Sequence, residues 1–561
     1  MVFLVKKISP KLILSCCLLL IFIQFAVQLK LARDDSPTTD EAIHLFAGYT
    51  YLIERDYRFN PEHPPLLKTL SAIPLLFITP NLPKDYDTLW QKSDNTFYDS
   101  WAENRVLGDK FMYTSQNNPD QLIFWGRIPT VIITALLALT LLLFSKKIFG
   151  VWGALLATTL FTTNPTVNGH GHLITTDMIL ALSYLLTVIT AYKFVTKPTA
   201  LNSIIFGLAL GLALLSKHTA IILIPIIIGC LIFLIAYDKT RKKSLKMLPK
   251  LLITAVVIWA VIWAGFGFND DIAPRSTSIT QEIINSSPER VNVEKNETLD
   301  KIYTNVRPLL VTLPLNYIKG VILVLNHTGG GHSSYLLGKV SNTGWWYYFP
   351  LLFFVKSPLP FLIAFTIGLW AIIKKEKKLL IWTLAIFGIG FLGFAMISKA
   401  NLGIRHILPT MPLFILLSTW GILQIKNYKT PILILSIWAL GIYIIGYPTY
   451  LGYFNELAGG ARNGYKIATD SNLDWGQDLK RIKNYIQKNN IISPVIDYGW
   501  LGKDGLDYYL GDYRVLESTK PSTSDTVIIS ASIYATRYKF QFPSCDNKII
   551  SNAVFVCKTN D

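Results

Sequence analysis

Charge is what this sequence has least of. Asp, Glu, Lys and Arg together make up only 16% of its 561 residues, where soluble domains carry about a quarter. So little charge beside so much apolar residue excludes an intrinsically disordered chain, a coiled coil and a collagen-like fibre. Cysteine is scarce too. Five in a chain of this length exclude a disulfide-built scaffold. The sequence shows no internal repeat and no low-complexity segment. Hydrophobic residues, by contrast, reach 51%, and the mean hydropathy is +0.38. The composition is that of an integral membrane protein. A net charge of +17 would suit nucleic acid if it formed a patch on a polar domain. Its distribution argues otherwise, and no nucleic-acid partner is expected.

Apolar runs long enough to cross a bilayer, about 17–25 residues, give the architecture. Eleven are read, at roughly 11–29, 121–144, 150–167, 173–195, 201–216, 219–236, 249–267, 349–372, 379–397, 405–424 and 430–448. The first, Leu12 to Leu29, is long for a signal peptide and lacks a clear small-residue cleavage pattern, so it is taken as an uncleaved span. Leu66 to Thr79 is apolar but too short to cross, and is expected to lie at the interface.

Lysine and arginine orient the spans. With the N-terminus cytoplasmic, one side collects Lys6, Lys7, Lys11, Lys146, Lys147, Lys193 and Lys197. The Lys239–Lys250 and Lys374–Lys378 clusters, Lys426 and Lys429 follow on the same side. These nineteen basic residues are offset only by Asp238 and Glu376, and the excess equals the +17 of the whole chain. The rest of the molecule is neutral in sum. The expected protein is multi-pass, in the cell inner membrane or plasma membrane. Residues 1–450 form its membrane domain, with outer loops 30–120 and 268–348. Residues 451–561 form an extracytoplasmic α/β domain, with an amphipathic helix over Asp474–Lys488 and strands near Thr526–Ser532 and Ala553–Cys557. Cys545 and Cys557 fall in this domain, and their pairing is left open. Three Asn-x-Ser/Thr sequences, at Asn285, Asn296 and Asn326, fall in the second outer loop.

The unusual polar residues gather on the outer side. They are Thr38-Thr39-Asp40-Glu41, Asn60 to Lys68 with Glu62 and His63, Thr175-Thr176-Asp177, Lys217-His218, Asn401 to His406 with Arg405, and Asp470 to Asp478 with Asp474. Ionisable groups near membrane depth are costly, so their collection on one face marks a site. Each also has a plainer reading. Thr38 to Glu41 fits a helix capping box and Thr175 to Asp177 a cap. His63-Pro64-Pro65 fits a helix start. Lys217 and Arg405 fit snorkelling side chains, and Asp474 a surface position on its helix. Together the set suits attack by a hydroxyl on a lipid-linked, phosphate-activated sugar. A carboxylate takes the proton, cations stabilise the departing phosphate, and one base opposite a good leaving group implies inversion.

These residues resemble the family 39 glycosyltransferases, which include protein O-mannosyltransferases and the aminoarabinose transferases acting on lipid A. The similarity runs through Thr39-Asp40-Glu41, Glu62-His63-Pro64-Pro65-Leu66 and Thr175-Thr176-Asp177. It continues in Tyr335 to Gly338, Gly344 to Pro350, Lys356-Ser357-Pro358, Arg405 to Pro409 and Asp470 to Leu479. The resemblance implies the GT-C fold, mainly α-helical with about eleven transmembrane helices, and a polyprenyl-phosphate-linked sugar donor. It assigns Asp40 as base or acceptor-positioning group, Glu41 as its partner and Asp177 as the second acidic site. His63, Lys68, Lys217, Arg405 and His406 are expected at the donor phosphate, and Asp474 is accessory. His63 stands where aminoarabinose transferases carry Lys; this sequence has His there, as O-mannosyltransferases do. No cofactor is required, though a divalent metal at Glu62 is compatible. The acceptor is a hydroxyl of a protein, lipid or glycan. The alternatives weighed are a glycan ligase or polymerase using a polyprenyl-pyrophosphate donor and, behind it, a secondary transporter.

Overall fold

Glycine and proline interrupt several of the apolar runs, as at Gly150, Pro198 and Pro358. The computed structural model describes residues 8–92, 105–237, 242–269, 312–375, 378–499, 502–522, 525–539, 541–542 and 544–558. Most of the loop 268–348, with Asn285 and Asn296, lies outside the described residues, as do Asp238, Lys239 and Glu376. Helix α1 spans Pro10–Asp34, α2 Glu41–Glu54 and α3 Pro65–Ala72. After these, α4 is Pro119–Thr162, α5 Pro165–His170, α6 Thr176–Thr196, α7 Ala200–Ser216, α8 Leu223–Tyr237 and α9 Lys242–Gly265. Later come α10 Leu315–Gly330, α11 Tyr348–Lys356, α12 Leu359–Lys375, α13 Leu379–Ala395, α14 Met411–Leu423 and α15 Lys429–Gly446.

Among the described residues, six helical stretches are long and apolar enough to cross a membrane: α1, α4, α6, Met247–Gly265, Ile404–Leu423 and α15. Shorter apolar helices, including α7 and α13, accompany them. The protein is a multi-pass membrane protein. Helix α4 is nominally 44 residues, about 66 Å at 1.5 Å per residue, twice a bilayer core. Gly150 resolves this: its φ of 73° and ψ of −176° break the helix there, three residues after Lys147. One nominal helix is thus two, as the two apolar runs at 121–144 and 150–167 require. The segment Leu66–Thr79 forms α3 and the four-residue helix Leu75–Ile78, neither long enough to span.

Two compact units divide the chain. One comprises residues 40–129 and 174–330, the other residues 1–39, 130–173 and 331–561. In the first, α6, α7 and α9 pack side by side, with Gly207 and Gly211 of α7 placed against Val257 and Val261. Helix α2 crosses α3 at Gly48, where a Cβ would sit 2.0 Å from the Lys68 carbonyl oxygen. Only glycine permits that approach.

In the second unit, α12 meets α14 at Gly368 and Gly421, whose backbones touch. Leu31 of α1 packs with Tyr443 and Tyr450. The hairpin of β1 (Ser334–Leu336) and β2 (Lys339–Ser341) is antiparallel. Residues beyond α15 carry helix α16 (Leu479–Lys488), β3 (Val495–Asp497), α17 (Lys503–Leu510), β4 (Arg514–Val515), β5 (Thr526–Ser530), β6 (Asp546–Ser551) and β7 (Val554–Lys558). Their sheet order is β4-β3-β5-β7-β6. Strand β3 is parallel to β4 and β5, and β7 antiparallel to β5 and β6. A disulfide joins Cys545 to Cys557 across β6 and β7. Helix α16 begins at Leu479 rather than Asp474, because Asp470–Asn472 forms a separate short 3-10 turn and Gly476, at φ 108°, breaks the chain after it.

Candidate active site

The first unit contains Asp40, Glu41, Glu62, His63, Lys68, Asp177 and Lys217; the second contains Arg405, His406 and Asp474. Neither acidic stretch of the first unit acts as a helix cap. Asp40 stands at the N-cap position of α2 and Thr175 at that of α6, and neither side chain makes a cap hydrogen bond. The capping-box reading of Thr38 to Glu41 therefore fails on geometry.

Glu41 is instead buried with Arg127 of α4, both side chains 0% exposed. Arg127 grips the carboxylate with both arms of its guanidinium, Nε to Oε1 at 2.8 Å and Nη2 to Oε2 at 2.6 Å. Oε1 also accepts the backbone N–H of Ile174 at 2.8 Å. His44, one turn along α2, meets the Ile174 carbonyl at 2.7 Å through Nδ1 and lies edge-on to His63 with ring centroids 5.1 Å apart. Glu41 thus ties α2 to the residues leading into α6. Asp40 is half-buried, whereas residues 41–51 are almost wholly buried. Of the adjacent acids, one is fully buried and the other partly exposed at the N-cap position.

Asp177 and Lys217 are brought together as a buried pair at 2.7 Å. Arriving from the starts and ends of different helices, α6 and α7, they neutralise each other where an isolated charge would be expensive. Lys68 is placed differently from the phosphate-facing role expected of it. Its ammonium is 0% exposed and donates to Tyr51 Oη at 2.7 Å, the Asn60 carbonyl at 2.6 Å and Asn60 Oδ1 at 3.3 Å. Burial pushes its pKa well below the ordinary lysine value, partly opposed by Glu62. The bonds hold Asn60, a non-glycine residue at φ 48°, and with it the Asn60–Pro65 loop. Lys68 supports Glu62 and His63 from beneath.

Glu62 faces His327 at 3.4 Å, and His218 reaches the Pro61 carbonyl at 3.2 Å. Glycine is demanded at 320, since a Cβ there would lie 2.1 Å from His218 Nε2 and from the Pro61 carbonyl oxygen. Among the described residues, no three His, Cys, Asp or Glu side chains gather to hold a metal ion.

In the second unit, the Arg405 guanidinium lies 4.1 Å over the ring of Trp475 and its Nε donates to Ser471 Oγ at 3.2 Å. His406 packs 6.3 Å from the Phe349 ring. Asp474 is fully buried and accepts the Tyr498 hydroxyl at 3.1 Å. Burial beside Asp474 and Asp478 raises the Tyr498 pKa, so its hydroxyl remains a donor. Lys356 donates to the carbonyls of Leu451 (2.9 Å) and Asn472.

Arg127, His44, His327 and Arg481 were not legible as site residues. Arg127 had a signal: it is an unaccompanied cation inside the 121–144 apolar run, which is itself a flag for function. The others needed spatial proximity between distant segments.

Residues 120–264 match the family described as dolichyl-phosphate-mannose-protein mannosyltransferase. The crystal structure of ArnT from Cupriavidus metallidurans bound to undecaprenyl phosphate superposes with a TM-score of 0.52 at 11% identity, covering 97% of this chain and 98% of that one. ArnT in the apo state gives 0.50 at 11% identity, covering 97% of each. The chain has the GT-C fold of these structures, and residues 120–264 resemble the mannosyltransferase family. The archaeal oligosaccharyltransferase AglB from Archaeoglobus fulgidus, with an inhibitory peptide and a dolichol-phosphate, is more distant, at a TM-score of 0.46 and 11% identity over 93% of this chain and 70% of that one. No curated protein matches by sequence. At 11% identity the likeness to ArnT establishes the fold, and the donor and acceptor have to be argued from the residues.

Proposed function

We propose that the protein transfers a sugar, with inversion, from a polyprenyl-phosphate donor to a hydroxyl of a protein, lipid or glycan acceptor. The carrying observation is the division of labour between Asp40 and Glu41. Glu41 is consumed by Arg127 and the Ile174 N–H, while Asp40 heads the same buried helix partly exposed and does not cap it. A carboxylate kept at the edge of an anchored helix is suited to accept a proton. In the step, the acceptor oxygen bonds to the anomeric carbon as the bond from that carbon to the phosphate oxygen breaks. The electron pair leaves with the phosphate, and the hydroxyl proton passes to Asp40. Asp177 acts as second acidic group, held by Lys217.

Charge developing on the phosphate is assigned to His63, Arg405 and His406. Lys217 acts there through its pairing with Asp177, and Lys68 by holding the His63 loop. Asp474 is accessory, fixing Tyr498. Because the phosphate is a good leaving group, this step requires no metal. A cation shared by Glu62 and His327, 3.4 Å apart, would be an addition to it. The lysine pattern favours a cytoplasmic N-terminus, with residues 451–561 on the outer face of a plasma or inner membrane. Both ArnT, whose structure holds undecaprenyl phosphate, and the matched mannosyltransferase family favour this donor class.

The test is turnover by purified, reconstituted protein against a panel of polyprenyl-phosphate sugars, with polyprenyl-pyrophosphate glycans alongside. Transfer from a monophosphate donor that Asp40→Asn abolishes supports the proposal. Transfer from the pyrophosphate donors alone would replace it with the ligase reading.

A further inference from the structure

The terminal segment carries the run Asp474-Trp475-Gly476-Gln477-Asp478, whose role the reaction does not explain. Its backbone is joined to the five residues that end at Thr39, immediately ahead of Asp40 in the chain. Ser36 N–H donates to the Gln477 carbonyl at 3.1 Å and Thr39 N–H to the Trp475 carbonyl at 3.1 Å. Ser36 Oγ donates to the Gly476 carbonyl at 2.8 Å and accepts the Leu479 N–H at 2.9 Å. Gly476, at φ 108°, makes the turn that presents these carbonyls, a conformation side chains oppose.

An ion network closes the junction. Arg481 of α16 pairs with both Asp478 and Asp35, and the far oxygen of Asp35 meets His172 Nε2 at 3.0 Å. Ser551 Oγ donates to Asp478 at 2.9 Å. His172 precedes Asp177 by five residues. The Trp475 ring packs with Leu173 and Leu451 and carries Arg405 on its face. One turn of the terminal segment therefore touches the chain ahead of Asp40, the chain ahead of Asp177, and Arg405 itself. Asp35, Ser36, Thr38, Trp475 and Asp478 are all buried, so this junction is built into the fold.

We infer that the Asp474–Asp478 turn is a positioning element of its own unit, with Trp475 and Arg481 as positioning residues. Arg481 sets the lead-in to Asp40 and Asp177, and Trp475 sets Arg405. The inference rests on the proposed roles of Asp40 and Arg405. Small displacements of a reacting group cost rate without costing affinity, which gives Arg481 and Trp475 different kinetic signatures.

The experiment uses the full chain in lipid nanodiscs and compares Arg481→Gln, Arg481→Lys, Trp475→Leu and Asp40→Asn. In Arg481→Gln, kcat should fall about ten- to a hundredfold with the donor KM nearly unchanged. Amide exchange in peptides covering 35–39 should rise about tenfold while the β5 and β7 peptides stay protected. Arg481→Lys, which keeps a charge on Asp35, should recover part of kcat. Trp475→Leu should raise the donor KM as well, since Arg405 loses its support. Wild-type kcat, or unchanged exchange at 35–39, in Arg481→Gln would overturn the inference. Loss of protection throughout the sheet would overturn it too, by making the residue merely structural. Should Arg481→Gln not fold, Asp35→Asn removes the same pair from the other side and is read the same way. Turnover by Asp40→Asn would instead refute the base assignment, leaving the exchange data to judge the junction.

Discussion

Glu41→Gln separates the two neighbouring acids by consequence. The substitution is nearly isosteric, yet it removes the carboxylate charge that the Arg127 guanidinium grips with both arms at 0% exposure. Removing one partner of such a pair costs about 3–5 kcal/mol, because the remaining charge stays buried. If the loss falls on unfolding, the lifetime of the folded protein shortens roughly a hundred- to several-thousand-fold. Inactivation of a reconstituted membrane protein is commonly irreversible, so the assay is a half-life at fixed temperature. Asp40→Asn, one residue away, should leave that half-life near wild type and lower turnover by about 10²–10⁴, the usual worth of a general base. A Glu41→Gln protein as long-lived as wild type would refute the account of the ion pair. An Asp40→Asn protein that decays quickly would show Asp40 to be structural.

Other outcomes follow from the same geometry. Lys68 loses proton affinity on folding, so the unfolded chain binds more protons between its depressed pKa and about 10.5, and stability rises with pH across that window. Half-lives measured from pH 8 upward should show this rise, and Lys68→Met should flatten it. The Cys545–Cys557 bond closes a short loop, so Cys545→Ser with Cys557→Ser should destabilise the terminal sheet by about 2–4 kcal/mol, seen as faster proteolysis of residues 451–561 alone. A cysteine at position 375 should react with a membrane-impermeant maleimide only after the cell is opened, as the lysine asymmetry requires. Reaction from outside would invert the topology.

Much of the fold was legible because its cause is local. Hydrocarbon tolerates few charges and no unpaired backbone, so apolar length marks the helices, and Lys146-Lys147 before Gly150 marked the turn inside α4. The acidic residues at 40, 41 and 177 stand out in the sequence too, since ionisable groups so near lipid are costly. What each of them does was not. Asp40 and Glu41 are adjacent in sequence and opposite in circumstance, and only the approach of Arg127, 86 residues away, makes one a strut and leaves the other at the edge. The sequence offers Lys68 as a phosphate ligand, whereas in the fold Tyr51 and Asn60 take its side-chain nitrogen. The expected helix start at Asp474 moved to Leu479 because long-range bonds to Ser36 and Thr39 outweigh the helical propensity of the turn. Sequence by itself determined that the chain crosses a membrane and where its ionisable residues stand, because solvation acts on each segment separately. Tertiary structure alone decided which of those charges are spent on one another, because a buried charge takes its role from the partner packed against it.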